Sequence, residues 1–302
     1  MKVAILHEDL EWTERELESI FSSKFNCEVK MFDIRDVNLS DIEDFTPKLL
    51  LNRVYASVGN RNWNALSKTI SLLEELEKDN VKVVNSFNAT KADYSKYEAF
   101  KLMEKSGIHT PETYLFSEDL DVNSIINKLG FPLIVKRDAG GRGFDLARVT
   151  SKEEMIKAIE KIKSSEDYSG GIIIQKFMQP IEPRDYRVCV VNGEVAYAHG
   201  RSLISYGQTD DAWLASASLG SVNITLDEIP KELKDFAIKA AETINAMLDT
   251  LDIIKTKEGY LIIEHNPTPQ LTQEWEKQLG FSPTFCFAKA LYDNYLDGER
   301  TC

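Results

Sequence analysis

The chain has 302 residues, 43% of them hydrophobic and 28% charged, which is typical of a globular protein and long enough for two or three domains. With 36 basic and 49 acidic side chains the net charge is −13, which argues against nucleic acid and anionic membranes as partners. No segment approaches the roughly 20 apolar residues of a membrane span, no signal peptide is expected, and the four cysteines lack metal-type spacing, so we expect a cytoplasmic protein with reduced thiols.

The first 90 residues alternate short apolar strands with amphipathic helices, which predicts a small parallel α/β domain over residues 1–90. Ligands of such sheets bind beyond the carboxyl ends of the strands. Asn52 and Arg53 end one of these strands and are candidates for a substrate-binding edge, although an arginine that only covers the sheet is an equal alternative. Strands are predicted at 2–7, 28–32, 49–54 and 82–85, and helices at 11–25 and 63–78.

A polar connector at 85–92 is expected to end this domain, and a second domain is expected over 91–170. Its first helix is predicted over 93–106, with Lys96 in the first turn. A cation at the positive end of a helix is unusual, and either a bound anion or simple solvation would explain it.

Strands at 131–136 and 145–150 flank a loop that reads RDAGGRGF. The loop has neither the GK[ST] ending of a P-loop nor a GxGxxG pattern. Gly140, Gly141 and Gly143 would let backbone amides approach an anion closely. We interpret the loop as a flap that closes over phosphates above Lys136; a glycine-rich hairpin without a ligand is the alternative.

A third domain is expected over 171–302 and begins with an apolar strand at 172–177. The strands that follow carry three charged side chains of interest, which are Asp185, Arg187 and Arg201. Residues 205–221 show no clear periodicity, which predicts a mobile functional loop, and a long helix is predicted from 230 to 248.

The most informative local pattern is a hairpin of strands at 250–254 and 260–266. A three-residue loop would place Asp252 opposite Glu264, and alternation would put Ile262, Glu264 and Asn266 on one face. Two carboxylates and an amide oxygen are ligands that Mg²⁺ prefers, and the cation would offset the cost of burying the acids. The alternative is a solvated hairpin with two acids on its wet face.

In their order and spacing these features resemble the ATP-grasp fold over nearly the whole chain. The branch they resemble most is that of the RimK-like carboxylate–amine ligases, with LysX and glutathione synthetase. The resemblance implies an α/β (α+β) protein: a Rossmann-like pre-ATP-grasp domain, a small lid subdomain with the glycine flap, and a C-terminal subdomain with the metal site. The matching features are Lys96, Lys136 with its flap, Gln175-Lys-Phe-Met178, Asp185-Tyr-Arg187, Arg201, Asp252 and Glu264-His-Asn266-Pro-Thr-Pro269.

The resemblance also implies a role for each residue. Lys96 and Lys136 would hold the ATP phosphates under the flap, and Asp185 would bind the ribose. Arg201 would face the transferred phosphoryl group, and Arg187 would face the substrate carboxylate or the acyl phosphate. The segment Gln175, Lys176, Phe177 and Met178 would bind adenine through the backbone of Lys176 and Met178, and Asp252, Glu264 and Asn266 would carry two Mg²⁺, with Mn²⁺ as a substitute.

The implied reaction is attack of a substrate carboxylate on ATP to give an acyl phosphate and ADP, followed by displacement of phosphate by an amine. The substrate would be an amino acid, a peptide or a peptidyl carrier, with Arg53, Tyr206 and Trp213 as pocket candidates. Relatives often form dimers or tetramers, so a homo-oligomer is one expectation. The alternatives are a maturase that forms ester or amide crosslinks in a peptide, an ATP-grasp kinase, and a nucleotide-binding regulator without turnover.

The chain also departs from this pattern. Leu214, Ala215 and Ser216 stand where RimK-like ligases usually have an Arg-Ser/Thr-Asn run, so Ser216 would be a weaker contact to the nucleotide. Gln175 replaces the usual glutamate of the adenine-binding segment, and Gln270 replaces the usual glycine after the last proline. These changes predict a divergent acceptor substrate.

Overall fold

In the computed structural model of the chain, the described residues are 1–79, 81–140, 145–165, 168, 170–207, 211–216 and 219–297. Their strands form three larger sheets and a two-stranded ribbon. Among the helices of these ranges, none combines the length and the hydropathy that a bilayer crossing requires.

The first sheet has four parallel strands, which confirms the βαβ prediction. The strands are β1 (Lys2–His7), β2 (Glu28–Asp33), β3 (Leu49–Asn52) and β4 (Lys82–Val84), and the helices between them are α1 (Trp12–Ser23), α2 (Leu39–Phe45) and α3 (Trp63–Lys78). The order is β2-β1-β3-β4. Leu50 packs in one apolar cluster and Leu49 and Leu51 in another, because helices cover both faces of the sheet.

Two helices separated by one residue lead to the next sheet: α4 (Phe87–Tyr94) and α5 (Lys96–Lys105). The polar connector predicted over 85–92 is therefore largely helical, and the single helix predicted over 93–106 is broken at Ser95. Ser95 has an extended backbone, and its side chain accepts a hydrogen bond from the Glu98 amide. This N-cap begins α5 at Lys96.

The second sheet is antiparallel, with the order β5-β8-β6-β7. Ile172 and Ile174 of its second strand share an apolar core with the two helices of this unit, so the sheet extends past the domain boundary expected at 170/171. Strand periodicity does not reveal which sheet a strand joins. The elements are β5 (Thr113–Leu115), α6 (Val122–Leu129), β6 (Leu133–Arg137), β7 (Leu146–Val149), α7 (Lys152–Lys163) and β8 (Ile172–Lys176).

The third sheet is antiparallel and carries the site; its order is β13-β10-β9-β14-β15. One face packs against α8, and the other face opens to a cleft. The elements are β9 (Arg184–Val191), β10 (Glu194–Ser202), β13 (Asn223–Ile224), α8 (Lys231–Thr243), β14 (Leu248–Thr256) and β15 (Gly259–Asn266).

The segment predicted as an irregular loop, 205–221, contributes to a two-stranded ribbon of β11 (Ile204–Ser205) and β12 (Ala212–Leu214). After β15 the chain forms α9 (Gln273–Leu279), α10 (Pro283–Leu291) and a π-helical turn at Tyr292–Leu296. Leu291 and Leu296 pack in one cluster with β1 and β3, so the C-terminal helices return to the first sheet.

Candidate functional site

Side chains of four strands converge on the open face of the third sheet. On the opposite face, Val188, Leu251 and Ile253 pack in the apolar cluster of α8, which leaves their sequence neighbours to face the cleft. Cross-strand pairing aligns those neighbours with residues of β10 and β15 in two rows. The first row is His199, Arg187, Asp252 and Glu264; the second is Tyr197, Cys189, Thr250 and Asn266, of which all but the buried Cys189 line the cleft.

The hairpin of β14 and β15 sets Asp252 opposite Glu264, which confirms that pairing. The turn differs from the predicted three-residue loop, because it has only two residues, 257–258. A bulge adds Ile263 to β15 and restores the register at the two acids. The bulge also reverses the alternation: Ile262 packs in the core beside α8, so the prediction that it shares a face with Glu264 is wrong.

Asp252 lies between two arginines. Arg201 Nη2 is 2.7 Å from Asp252 Oδ2, and Arg187 Nε is 3.7 Å from Asp252 Oδ1. Burial acts to raise the pKa of Asp252, but the charges of Arg187 and Arg201 outweigh it and hold the pKa below its usual value. Asp252 Oδ1 accepts no hydrogen bond from the described residues, so an ionised oxygen is available to a ligand.

Arg201 is fixed from behind by Asp185. Arg201 Nε donates to Asp185 Oδ1 at 3.1 Å, and Arg201 Nη2 bonds the second carboxylate oxygen. Asp185 is 0% exposed, and its burial raises its pKa to about 6 in spite of the arginine. The predicted contact between Asp185 and a ribose is therefore wrong, because this carboxylate is covered by Arg201 and does not line the cleft.

Lys96 reaches the cleft from the start of α5. It is 7% exposed, so simple solvation does not explain its position. Its Nζ donates to the carbonyls of Gly140 at 2.5 Å and Asp138 at 3.3 Å, and lies 3.6 Å from Glu264 Oε1. The Asp138 carboxylate accepts the Tyr97 amide at 2.7 Å, so an acid offsets the lysine at the helix start. No sequence pattern singled out Asp138, since its partner lies 41 residues away.

Lys136 reaches the same region from β6. Its Nζ donates to the Ile263 carbonyl at 3.4 Å and lies 5.7 Å from the centre of the Phe100 ring. Burial lowers the pKa of Lys136 to about 8, against the opposing effect of Glu264. A phosphate beside this ammonium would stabilise its charge and raise the pKa again.

One cleft of about 530 Å³ connects these side chains, with residues 55–57 of the first unit on its far wall. Gly141 and Gly143 lie outside the described residues. Glu264 is half-exposed at the cleft, where its neighbours are mostly buried. The predicted site residues that line the cleft are Lys96, Lys136, Gly140, Arg187, Arg201, Ser216, Asp252, Glu264 and Asn266.

Arg53 is not part of that lining. Its Nε donates to Glu14 Oε1 at 2.9 Å and its Nη2 to the Pro269 carbonyl at 2.9 Å, with Arg53 2% exposed and Glu14 0% exposed. The predicted substrate contact is wrong; the alternative, an arginine that only covers the sheet, is closer to the structure, except that Arg53 is buried. Arg53 instead ties the first sheet to the chain that leaves β15.

Tyr206 and Trp213 are not among the described residues that line this cleft, and their predicted contact with the substrate stays a prediction. Trp213 Nε1 donates to the Tyr206 carbonyl at 3.1 Å. Its ring meets Phe177 edge-on at 6.0 Å, and the Arg148 guanidinium lies 4.2 Å from the centre of Phe177. These residues form an aromatic cluster beside the end of β8.

The segment predicted to bind adenine already has partners. Gln175 is 2% exposed, and its Nε2 donates to Thr113 Oγ1 at 2.8 Å. The Lys176 amide donates to the Glu112 carbonyl at 3.0 Å. Any adenine contact of Lys176 would therefore use its carbonyl group rather than its amide.

Asp252, Glu264 and Asn266 form a donor set of two carboxylates and one amide at the cleft. In the part of the chain that the structure describes, no group of three or more His, Cys, Asp or Glu is arranged to hold a metal ion. A cation here would therefore be bound by the two acids and completed by the Asn266 amide. The unbonded Oδ1 of Asp252 and the half-exposed Glu264 suit a hard cation such as Mg²⁺.

Two groups of site residues escaped the sequence patterns. Asp249 is fully buried, and its Oδ1 accepts a hydrogen bond from the backbone N–H of Asn266 at 2.9 Å. The strand predicted from residue 250 begins one residue too late to include Asp249. His199 and Trp275 also line the cleft, with ring centres 4.6 Å apart. The available signal for His199 was its spacing of two from Arg201 on one strand.

Comparison with known proteins places this geometry in a family. A model of the RimK-like ATP-grasp domain matches residues 93–284. The probable alpha-L-glutamate ligase of Desulfotalea psychrophila is 26% identical over 279 residues, which cover 90% of this chain and 58% of that protein. The coenzyme gamma-F420-2:alpha-L-glutamate ligase of Methanocaldococcus jannaschii is 29% identical over 202 residues, 65% of this chain and 66% of that protein. The chain thus spans less than two thirds of either relative.

The crystal structure of a RimK-domain ATP-grasp protein from Sphaerobacter thermophilus superposes with a TM-score of 0.69 at 17% identity, covering 98% of this chain and 100% of that one. This likeness confirms the ATP-grasp fold that the sequence resemblance implied. Since the matching family model also covers well over half of the residues, the chain belongs to the RimK-like ATP-grasp family.

Proposed function

We propose that the protein is an ATP-dependent carboxylate–amine ligase that forms an amide through an acyl phosphate. The observation that carries this proposal is the row of Arg187, Asp252 and Glu264 facing Lys96 and Lys136. Oxygen donors for a cation and fixed positive charges for phosphoryl and carboxylate groups then share one cleft, which is what charge development in such a reaction requires.

Lys96 and Lys136 would bind the nucleotide phosphates, and the backbone at Lys176 and Met178 would bind the adenine edge. Asp252, Glu264 and Asn266 would hold the magnesium. When bound, Mg²⁺ supplies Lewis-acid neutralisation of the phosphate charge. The support for the lysines is their convergence on Glu264, with Lys96 Nζ 3.6 Å from its carboxylate and Lys136 Nζ 3.4 Å from the carbonyl of the preceding residue, Ile263.

Replacing Lys136 by methionine is expected to weaken binding of the ATP analogue AMPPNP in the presence of Mg²⁺ by about 10-fold to 100-fold, because a hydrogen bond to a charged group is removed. Isothermal titration calorimetry measures this directly. The matched control is Lys105→Met, at the exposed end of the same α5 that begins with Lys96. Equal affinity in the Lys136 and Lys105 variants would contradict the phosphate contact.

Raising the pH should act in the same direction. The pKa of Lys136 lies at about 8 in the nucleotide-free protein, so its ammonium is present below that pH and is lost above it. Affinity for AMPPNP is therefore expected to fall as the pH rises from 8 to 9. Lys136→Arg keeps the charge throughout this range and should abolish the fall, which calorimetry at both pH values would show.

The chemistry would proceed in two balanced steps. A carboxylate oxygen of the first substrate attacks the γ-phosphorus, the bond to the ADP oxygen breaks, and an acyl phosphate forms. An amine then attacks the carbonyl carbon, the bond to phosphate breaks, and the amine loses a proton. Arg187 would hold the carboxylate, and Arg201, oriented by Asp185, would hold the transferred phosphoryl group beside Asp252.

The amine is proposed to be an α-amino acid, and L-glutamate is the first to test, because the relatives described above are named alpha-L-glutamate ligases. The acid would be an amino acid, a peptide or a carrier-bound peptide. Hydroxylamine tests the reaction type: it traps an acyl phosphate as a hydroxamate that mass spectrometry detects. A hydroxamate formed together with ADP is expected, whereas a stable phosphorylated alcohol would show a kinase instead.

A further inference from the structure

An aromatic wall lies at the end of the cleft away from Glu264. It consists of Tyr197 and His199 on β10 and Trp275 on α9, all of which line the cleft. The His199 and Trp275 rings are 4.6 Å apart at 57°, and Tyr197 lies 6.1 Å from each of them. Tyr197 belongs to the buried core, while Trp275 is only half-buried, so the wall is rooted in the fold and presents a ring to the cleft.

His199 points to a ligand at this wall. The side chain is 7% exposed, and its Nδ1 has no hydrogen-bond partner among the described residues. Burial lowers the pKa of His199 to about 4, and the nearby charges of Arg187 and Arg201 add to the effect while Asp252 opposes it. The ring is therefore neutral near pH 7, and a buried polar nitrogen of this kind is normally paired.

Arg187 adjoins the wall. It is the cross-strand partner of His199 in the register of β9 and β10. Its side chain is 28% exposed, compared with 6% for Arg201, which Asp185 and Asp252 enclose. A carboxylate could therefore reach Arg187 from the cleft with its remaining atoms directed toward His199 and Trp275.

The chemistry of the wall discriminates between substrates. Aromatic faces carry the negative lobe of the ring quadrupole, so they repel a second carboxylate, whereas another ring packs on them edge-on or offset-stacked. An acidic side chain held by Arg187 at its α-carboxylate would place a negative charge against these faces. An aromatic side chain would stack on them and exclude water.

We propose that this wall is the subsite for an aromatic carboxylic acid, with the carboxylate on Arg187, the ring on Trp275, and a polar atom of the substrate on His199 Nδ1. The assignment rests on the ligase function proposed above for the role of the carboxylate. It identifies the acid that is activated as one with a flat conjugated side group, either a free aromatic amino acid derivative or a peptide that ends in one.

Calorimetric titration with Mg²⁺ and AMPPNP present tests this without turnover. N-acetyl-L-tryptophan is expected to bind at least 10-fold more tightly than N-acetyl-L-glutamate or N-acetylglycine. Trp275→Leu, which keeps an apolar side chain in the fold, should reduce this preference to less than 3-fold, and Trp275→Phe should retain most of it. Trp63→Leu, a half-exposed tryptophan outside the cleft lining, is the matched control and should leave the preference unchanged.

Equal affinity for the three acids, or a preference that persists in Trp275→Leu, would overturn the subsite. An acetylated tripeptide that ends in tryptophan distinguishes a free amino acid derivative from a peptide as the substrate. If the tripeptide binds more tightly than N-acetyl-L-tryptophan, the aromatic ring belongs to a peptide terminus. Trapping with hydroxylamine distinguishes a failure of the subsite proposal from a failure of the proposed ligase function. Binding that depends on Trp275 but yields neither ADP nor hydroxamate would support the subsite and contradict the ligase function. Hydroxamates formed equally from all three acids would support the ligase function and contradict the subsite.

Discussion

Replacing Glu264 by glutamine is expected to lower kcat for ADP release by about 100-fold or more, because it removes one charged donor of the proposed cation site. The same loss is expected for Asp252→Asn. Of the two, Glu264→Gln is the sharper test, because Asp252 also holds Arg201 at 2.7 Å and Arg187 at 3.7 Å, whereas Glu264 pairs with Lys96 alone, at 3.6 Å, within the described part of the chain.

The measurement is steady-state ADP release over a range of Mg²⁺ concentrations, with the acid and amine at saturation. A weakened cation site should also raise the Mg²⁺ concentration needed for half-maximal rate. Glu258→Gln is the matched control, since Glu258 is exposed at the turn of the same hairpin. Near-normal ADP release by Glu264→Gln, with an unchanged Mg²⁺ requirement, would rule out the proposed role of the hairpin.

Replacing Arg53 by methionine is expected to lower the free energy of unfolding by about 3 kcal/mol, because it leaves the Glu14 carboxylate buried without its cation. Glu14 is 0% exposed and keeps a hydrogen bond from Gln270 Nε2 at 3.2 Å, so the loss should lie at the low end for a broken buried pair. Urea unfolding followed by circular dichroism measures the change. Arg35→Met, which breaks an exposed pair with Asp33, should lower the free energy of unfolding much less, because solvent screens that pair.

The double variant Glu14→Leu/Arg53→Met removes both charges and should recover much of this stability. The same proteins test whether Arg53 has a structural role only. The folded single variant should keep its KM for both substrates within about 3-fold, because Arg53 contacts Glu14 and the Pro269 carbonyl rather than the cleft. A large rise in KM with unchanged stability would restore the substrate role expected from its position after β3.

The parts of the site that the sequence predicted correctly depend on short-range patterns. A polar turn between two short apolar segments was enough to identify the hairpin of Asp252 and Glu264, since the two acids are only 12 positions apart. The parallel first sheet followed from the βαβ alternation in the same way. The detailed route was not predicted: neither the two-residue turn nor the bulge at Ile263 has a clear sequence signal, although together they decide which side chains face the cleft.

The sequence by itself determined the layered α/β architecture and the two acids of the hairpin, because both are encoded by periodicity within a few residues of each other. Only the tertiary structure decided that Asp185 supports Arg201 rather than a ribose, that Arg53 is buried on Glu14, and that β8 joins the second sheet. It also brought Trp275 of α9 against His199 of β10. These contacts join residues from 16 to about 80 positions apart, and their energies depend on burial and on partners that no local spacing specifies.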